Sequence, residues 1–340
     1  MRERLRLLLA ACFYYSGLVS LANKRLQRST RRLIILNYHS AAGENLRQQM
    51  RYLSRHFRVM HLEDALEELF QPPQKELHDK RIPVVLTFDD GYLDNSTYGL
   101  QLAREYNVPF TVFLIPGYIE SGTCFWWLAS ESLLNRTQVE KVTIEEQTYS
   151  LPTERQAVAA VIDRHLRCAE SVKSREIFLT QVQDALHVAL PTRLQEGNEN
   201  TLLPLNWDEI HEMQASGLVS FGAHTMHHPV LGHVVDANEV LYEVGEARRV
   251  LEQHLGQPVR TFAYPIGKIK DIGDTGLSAV SAAGYTWALT TIEELNTPQT
   301  HPHLLCRLPG DTSQHWLIMA SELAGLLGII SKLRRKKNKP

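Results

Sequence analysis

Two pairs of residues in the sequence could do chemistry together. Asp89 and Asp90 are adjacent carboxylates at the end of the apolar run VVLTFDDGY, and His224 and His228 lie four residues apart in HTMHH. Like charges held close repel each other, so one of two neighbouring carboxylates normally binds a cation or is neutralised. Two histidines four residues apart on a helical turn face the same way and can bind one metal ion.

A metal site of two histidines and one carboxylate is the hypothesis that joins these pairs. Such a donor set leaves coordination positions open for water and substrate. The second aspartate could then accept a proton from that water. Each pair alone has an ordinary explanation, because HxxxH is often polar surface and adjacent aspartates often cap a helix or lie in a turn. The combination, with each pair after an apolar run, favours the metal site.

The elements that must position these residues alternate between apolar runs and helical patterns. Runs typical of strands occur at 32–40, 82–90, 108–119, 218–225, 259–267 and 285–291, and a last strand or loop at 303–311. Strand–helix–strand alternation at this spacing indicates parallel βαβ units. About seven parallel strands predict a barrel-like α/β fold, in which chemistry lies at the C-terminal ends of the strands. His39, both aspartates and both histidines are therefore expected at one rim.

Residues 120–203 interrupt this rhythm. Their pattern is mainly helical, and we interpret them as an insertion that decorates the barrel and not as an independent domain. The insertion contains Trp126 and Trp127. Such indoles are more often core or cleft-wall residues than platforms for a sugar ring, although sugar rings do stack on indoles.

The motifs resemble those of a known family. TFDDGY and HTMHHP are similar to the first two motifs of the polysaccharide deacetylases, the NodB-homology family of carbohydrate esterases, and FAYPIG is similar to the third. The resemblance extends from about Leu33 to Gly310. It implies a distorted (β/α) barrel that removes N-acetyl, or less often O-acetyl, groups from sugars with a divalent metal. Carried over by position, it implies metal binding by Asp90, His224 and His228, with Asp89 as the general base.

The sequence departs from the usual family pattern at two places. Ala263 stands where the third motif has an arginine that orients the base, and LLCRLPGD replaces the late leucine–histidine motif that supplies the general acid. Both departures resemble the sub-branch that includes deacetylases of exported poly-N-acetylglucosamine. There an early YH pair supplies the acid, and LNYHS makes His39 the candidate. Lys268 and Arg307 are candidate replacements for the missing arginine.

These observations predict a metal-dependent deacetylase that acts on the N-acetyl group of a sugar in a polysaccharide or lipid-linked glycan. Zinc is the expected metal, with cobalt, nickel and manganese left open. Candidate oxyanion and substrate contacts are Ile266, through a nearby backbone N–H, with Tyr264, Trp126 and Trp127. Two alternatives remain: a catalytically impaired carbohydrate-binding protein on the same fold, and an amidohydrolase or O-deacetylase acting on another substrate.

Composition excludes several other classes. The 340 residues are 44% hydrophobic and 22% charged, which is ordinary for a globular protein, and the net charge of −2 gives no basic field for nucleic acid. Four cysteines lie far apart in sequence, so they form neither a disulfide framework nor a cysteine zinc site.

Both ends of the chain combine apolar and basic residues. The stretch LRLLLAACFYYSGLVSLA has basic residues on both sides, and the chain ends in SKLRRKKNKP. The first stretch fits an interfacial or hairpin anchor, a signal peptide or signal-anchor, or a packing helix. We predict a membrane-associating segment at 1–32, the deacetylase domain at 33–320 and an apolar-basic tail at 321–340. The predicted location is an anionic membrane surface on the cytoplasmic side, with export as the alternative.

Overall fold

The computed structural model describes residues 2–27, 31–71, 79–197 and 199–327. Its strands are short, as expected for a twisted sheet between helices. They are β1 (Ile34–Tyr38), β2 (Arg58–Val59), β3 (Pro83–Phe88), β4 (Phe110–Leu114), β5 (Lys141–Ile144), β6 (Gln147–Ser150), β7 (Val219–Ala223), β8 (Thr261–Ala263), β9 (Trp287–Leu289) and β10 (Leu308–Pro309).

Parallel strands form one curled half-barrel sheet in the order β10-β1-β3-β4-β7-β8-β9, and β2 pairs with β3 beside this path. The seven-strand path confirms the predicted distorted (β/α) barrel. The segment after β9 nearly closes the curl, because Leu305 bridges to Leu289 of β9 and Leu308 pairs with Leu36 of β1. All carboxyl ends of the parallel strands therefore meet at one rim, as the sequence predicts.

Helices cover the sheet and connect its strands. They are α1 (Arg2–Tyr15), α2 (Leu18–Gln27), α3 (Glu44–His56), α4 (Leu62–Phe70), α5 (Leu100–Tyr106), α6 (Pro116–Ser121), α7 (Ala129–Arg136), α8 (Leu151–Arg167), α9 (Val172–Leu186), α10 (Arg193–Glu196), α11 (Trp207–Ala215), α12 (Ala237–Leu255), α13 (Ile269–Ala282) and α14 (Trp316–Leu323). Both faces of the sheet are consequently buried, and β1 and β4 consist entirely of buried residues.

Alternate residues of each strand enter different hydrophobic clusters. In β1, Ile34 and Leu36 belong to the large cluster that includes the covering helices, whereas Ile35 joins a smaller cluster with Val85 and Leu289. This period of two is the normal consequence of strand geometry, in which successive side chains point to opposite faces. Because both faces of the sheet are packed in this way, the strand ends that form the rim are held rigidly.

The insertion is mainly helical, as predicted, and comprises α7 to α10. It also contains the antiparallel hairpin of β5 and β6, which the sequence pattern did not indicate. The insertion has a hydrophobic cluster of its own, built around residues such as Val158, Ile162 and Leu179. Ile115 and Tyr92 belong to the same cluster, so the insertion packs against the barrel beside the strand ends.

The N-terminal stretch forms two helices, α1 and α2, which meet at an angle of 68°. Gly17 lies at the bend with φ of +80°, a left-handed conformation that glycine adopts without steric cost. α1 packs on α14 through Ala10, Leu317 and Ile318. Among the described residues no helix is by itself long and apolar enough to cross a membrane, but this bent pair together meets the requirements of length and composition. The basic cluster at 331–340 lies outside the described residues.

Candidate active site

Three buried side chains converge where β3 and β7 end. The ligand atoms of Asp90, His224 and His228 all lie within 4.8 Å of one another. Nε2 of His224 is 3.5 Å from Oδ1 of Asp90, and Nε2 of His228 is 3.6 Å from the same oxygen. The structure thus brings together the three residues that the sequence suggests as metal ligands.

The two histidines reach Asp90 from a loop and not from a helical turn, which corrects the geometry assumed for HTMHH. Thr225 and His228 both have left-handed backbones, with φ of 65° and 55°. The Thr225 hydroxyl donates to the His224 carbonyl at 2.6 Å and accepts from the His228 N–H at 2.9 Å, which fixes the loop. Asp90 is also left-handed, with φ of 72°. Such conformations cost about 1–3 kcal/mol each and cluster at functional sites.

The chemistry of the three donors fits a divalent metal. Nδ1 of His224 lies 2.6 Å from the Ala263 carbonyl, so this nitrogen carries the proton and Nε2 is left with its lone pair. Burial lowers the pKa of His228 well below its usual value, and the neighbouring Arg175 guanidinium acts in the same direction. A neutral imidazole is the metal-binding form. Two such rings and one carboxylate form a donor set that zinc accepts in catalytic sites.

Asp89 lies beside this group and is held by Arg307. The guanidinium of Arg307 donates two hydrogen bonds to the Asp89 carboxylate, at 2.7 and 2.9 Å. It also donates to Oδ1 of Asn37 at 3.1 Å and to the Thr290 carbonyl at 2.8 Å. Burial raises the pKa of Asp89, but the positive charge of Arg307 and its hydrogen bonds more than offset this effect, so the pKa of Asp89 is lowered. Asp89 is therefore an ionised carboxylate with fixed orientation.

Arg307 thus occupies the role that the family pattern gives to the missing arginine. Arg307 lies in the segment after β9 that pairs with β9 on one side and with β1 on the other. Ala263, at the position of the usual arginine, ends β8. The other candidate, Lys268, has an exposed side chain that makes no hydrogen bond or ion pair within the described part of the chain. Of the two candidates, the geometry supports Arg307.

His39 follows β1 at the same rim. Its side chain is exposed, and it is close enough to Asp89 and Asp90 to interact electrostatically with both carboxyl groups. Its backbone carbonyl accepts from Nδ2 of Asn95 at 3.0 Å, and Asn95 begins a short π-helical turn, Asn95–Gly99. An exposed imidazole at the edge of the site can exchange protons with a bound substrate and with water.

Ile266 and Tyr264 have different surroundings. Ile266 has a left-handed backbone, with φ of 61°, and its N–H donates no hydrogen bond to any described residue. Tyr264 is fully buried, its N–H donates to the Leu289 carbonyl at 3.1 Å, and its hydroxyl donates to the His303 carbonyl at 3.2 Å. Ile266 therefore offers a free donor for an oxyanion, whereas Tyr264 packs behind the strand end and offers a substrate neither its N–H nor its ring.

The two tryptophans of the insertion also differ. Trp126 is 4% exposed and donates through Nε1 to the His228 carbonyl at 3.0 Å, so it supports the site from within the core. Trp127 is half-buried, and its ring centroid is 4.4 Å from that of His228. Its Nε1 donates to the Tyr92 hydroxyl at 2.7 Å, and the Tyr92 hydroxyl lies near Asp90. Trp127 is the indole that can contact a substrate.

Two further residues hold the histidine loop and had no signal in the sequence. Arg175 of α9 is buried and donates to the His227 carbonyl at 2.8 Å and to the His228 carbonyl at 3.2 Å. Glu243 of α12 is also buried and accepts from the His227 N–H at 2.8 Å. Arg175 reaches the loop through backbone carbonyls, whereas Glu243 also lies 2.6 Å from Nδ1 of the His227 ring, and no local motif encodes such contacts.

A buried Asp–His–His group at the carboxyl rim of a curled parallel sheet, with an oriented aspartate beside it, defines a hydrolase site of the NodB (β/α) barrel class. The sequence matches the family model for polysaccharide deacetylase over residues 77–175 and 178–288, and the chain belongs to this family. The resemblance stated from the motifs is thereby confirmed. No match to the sequence was found among curated proteins.

Solved structures show the same fold. The deacetylase PplD of Streptococcus pyogenes has a TM-score of 0.55 and 17% identity, and the match covers 86% of this chain and 97% of PplD. IcaB of Ammonifex degensii has a TM-score of 0.54 and 17% identity, covering 86% and 97%. The BpsB deacetylase domain of Bordetella bronchiseptica has a TM-score of 0.52 and 14% identity, covering 82% and 96%. Family and site together identify a carbohydrate deacetylase that acts on amide bonds.

Proposed function

We propose that the protein removes N-acetyl groups from an acetylated sugar of a polysaccharide or lipid-linked glycan and that it depends on a divalent metal, with zinc first among the candidates. The observation that carries this proposal is the position of Asp89. It is an ionised carboxylate fixed by Arg307, directly beside the buried donors Asp90, His224 and His228. A protein that only binds carbohydrate has no use for a base next to a metal site.

The residues divide the work according to their positions. Asp90, His224 and His228 would hold the metal, and the chemistry that a divalent ion supplies there when bound is polarisation of a carbonyl group and acidification of water. Asp89 accepts the proton of the attacking water, because it is ionised and has one fixed orientation. The free N–H of Ile266 donates to the oxyanion, which forms at the oxygen of the acetyl carbonyl when water attacks its carbon.

The leaving amine must be protonated before it departs. His39 is our candidate donor, because it is a histidine at the same rim and lies near both aspartates. Acid–base assistance of this kind contributes about 10²–10⁴-fold. Trp127 forms the wall next to His228, where its indole can pack against the apolar face of a sugar ring.

The first experiment measures metal and acetate. Purified protein should contain about one divalent ion per chain and release acetate from N-acetylated oligosaccharides or glycolipids, and a chelator should abolish the release. His224→Ala and His228→Ala should lose the metal. The matched control His301→Ala, at an exposed histidine away from the site, should keep both metal and activity.

The second experiment separates the two aspartates. Asp90→Asn should lose metal, whereas Asp89→Asn should keep metal and lose turnover, because only Asp90 is grouped with the histidine nitrogens. Equal metal loss in both variants would contradict this division. Release of acetate from O-acetylated sugars alone would instead favour an O-deacetylase.

A further inference from the structure

An apolar stripe covers the outer surface of the N-terminal helix pair. Leu5, Leu8, Cys12 and Tyr15 follow one another along the exposed side of α1 at helical spacing. Leu18 and Leu21 of α2 are also exposed, and we call these six residues the outer stripe. Leu8 is 64% exposed, Tyr15 76% and Leu21 65%. Such a row of exposed large apolar residues on neighbouring helices marks an interaction surface.

The fold itself does not use this stripe. The opposite face of α1 already packs against the protein: Ala10 is buried against Leu317 and Ile318, and Tyr14 makes an edge contact with Trp316 at 4.9 Å. In α2 the buried residue is Val19. α1 is consequently apolar on both sides, which is typical of a helix covered on both sides.

The charge around the stripe identifies the kind of partner. Glu3 is the sole acidic residue between positions 2 and 27, whereas Arg4 precedes the stripe and Lys24 and Arg25 follow it, all three exposed. Positive charge continues beyond α2 into a cavity of about 290 Å³. Its lining includes Arg31, Arg32 and Lys80, none of which pairs with a carboxylate among the described residues, together with apolar side chains such as Leu26.

We propose that the outer stripe inserts into the surface of a bilayer that contains acidic lipids and holds the deacetylase there. Leucines enter the boundary between headgroups and acyl chains, Tyr15 lies at headgroup level, and the flanking basic residues contact acidic headgroups. A second copy of this chain is a poorer partner, because it would bring the same basic residues together. The bend at Gly17 lets both helices lie along one surface without crossing it.

Vesicle sedimentation of the full chain tests the proposal. Vesicles of phosphatidylcholine with phosphatidylglycerol should bind the protein, and vesicles of phosphatidylcholine alone should bind it much more weakly. Leu8→Glu/Leu21→Glu should lose binding at least tenfold, because it places charge in the inserted stripe. The matched control Leu194→Glu changes a leucine of the insertion that is 98% exposed and should bind like the wild type.

Charge removal gives an independent measurement. Lys24→Ala/Arg25→Ala should weaken binding to the acidic vesicles by roughly 30-fold, since each basic residue near the surface contributes about fivefold. The control Lys141→Ala/Lys173→Ala removes two exposed lysines of the insertion and should have no effect. Acetate release from a soluble oligosaccharide should be unchanged in all four variants, which separates failure of this proposal from failure of the proposed function.

Four outcomes would overturn the proposal. The first is wild-type protein that ignores acidic vesicles, and the second is a Leu8→Glu/Leu21→Glu variant that binds them undiminished. The third is a wild-type dimer, seen by light scattering, that this variant converts to a monomer without any effect on vesicles. Recovery of the protein from cells as an exported form that begins at Asn23 would also overturn it, because cleavage there removes the stripe.

Discussion

Arg175 offers the sharpest test of how the insertion contributes to the active site. Its buried guanidinium donates to the carbonyls of His227 and His228 and lies over the Trp126 ring at 5.6 Å. Arg175→Met keeps most of the apolar packing and removes both hydrogen bonds to the loop, together with the contact from Nε to Glu176 at 3.3 Å. The His228 carbonyl retains the hydrogen bond from Trp126, so the main loss is at His227.

The magnitude follows from these contacts. A hydrogen bond from a charged donor contributes about 1.5–3 kcal/mol, and a buried carbonyl left without a partner costs about 1–3 kcal/mol. The His227 carbonyl loses its hydrogen bond from Arg175, and the His228 carbonyl keeps one from Trp126, so the free energy of unfolding should fall by roughly 2–4 kcal/mol. Because the loop carries two of the three proposed metal ligands, metal affinity should fall by about 10–100-fold, as for other residues that orient ligands. Arg175→Lys has one ammonium group for two carbonyls, so its stability and metal affinity should lie between those of the wild type and of Arg175→Met.

The assay is a titration of metal-free protein with Zn²⁺ against a competing chelator, with Co²⁺ absorption as a second measure of ligand geometry. The matched control is Arg58→Met, which removes a two-point contact to Glu68 at the opposite end of the barrel. The control should lose stability and keep its metal affinity. Unchanged zinc affinity in Arg175→Met, or equal weakening in both variants, would refute the reasoning.

Three further predictions concern the chemistry itself. Arg307→Lys should keep the metal and lose about 100-fold in kcat, because one ammonium cannot hold both oxygens of Asp89 in place; restoration of the rate by higher metal concentration would contradict this. His39→Ala should retain metal and fold but lose about 10²–10⁴-fold on an amide and far less on an activated ester, and equal losses on both would argue against an acid role. Trp127→Ala should raise KM for an oligosaccharide by roughly three- to tenfold with kcat little changed, measured by steady-state kinetics; a change in kcat alone would assign this residue to positioning.

The parts of the site that sequence could predict are those encoded beside a strand end. Asp89, Asp90, His224 and His228 follow their strands directly, so the rim of the barrel brings them together once the parallel order is known. The histidine loop was predicted as a helical turn because spacing alone does not reveal that Thr225 is left-handed.

The parts that sequence could not settle depend on tertiary register. Arg307 and Lys268 were equivalent candidates until the pairing of β10 with β1 placed one of them on Asp89. Trp126 and Trp127 are adjacent and chemically identical, yet one is buried against Arg175 and the other faces the site. Arg175 was missed altogether, because its contacts with the histidine loop are to backbone carbonyls, which have no recognisable signature in the sequence.

The segment after β9, which includes Arg307 and pairs with β1 through β10, has a consequence for biosynthesis. Arg307 is 218 residues away from Asp89, and it reaches that carboxylate only when the last strand has paired. The three proposed metal ligands have all been synthesised about 80 residues earlier, once His228 is made, but Asp89, the proposed base, then has no guanidinium to neutralise or orient it. Hydrolytic competence should therefore appear late, as a single event coupled to closure of the barrel, and a nascent or C-terminally shortened chain would bind metal without cutting sugar amides.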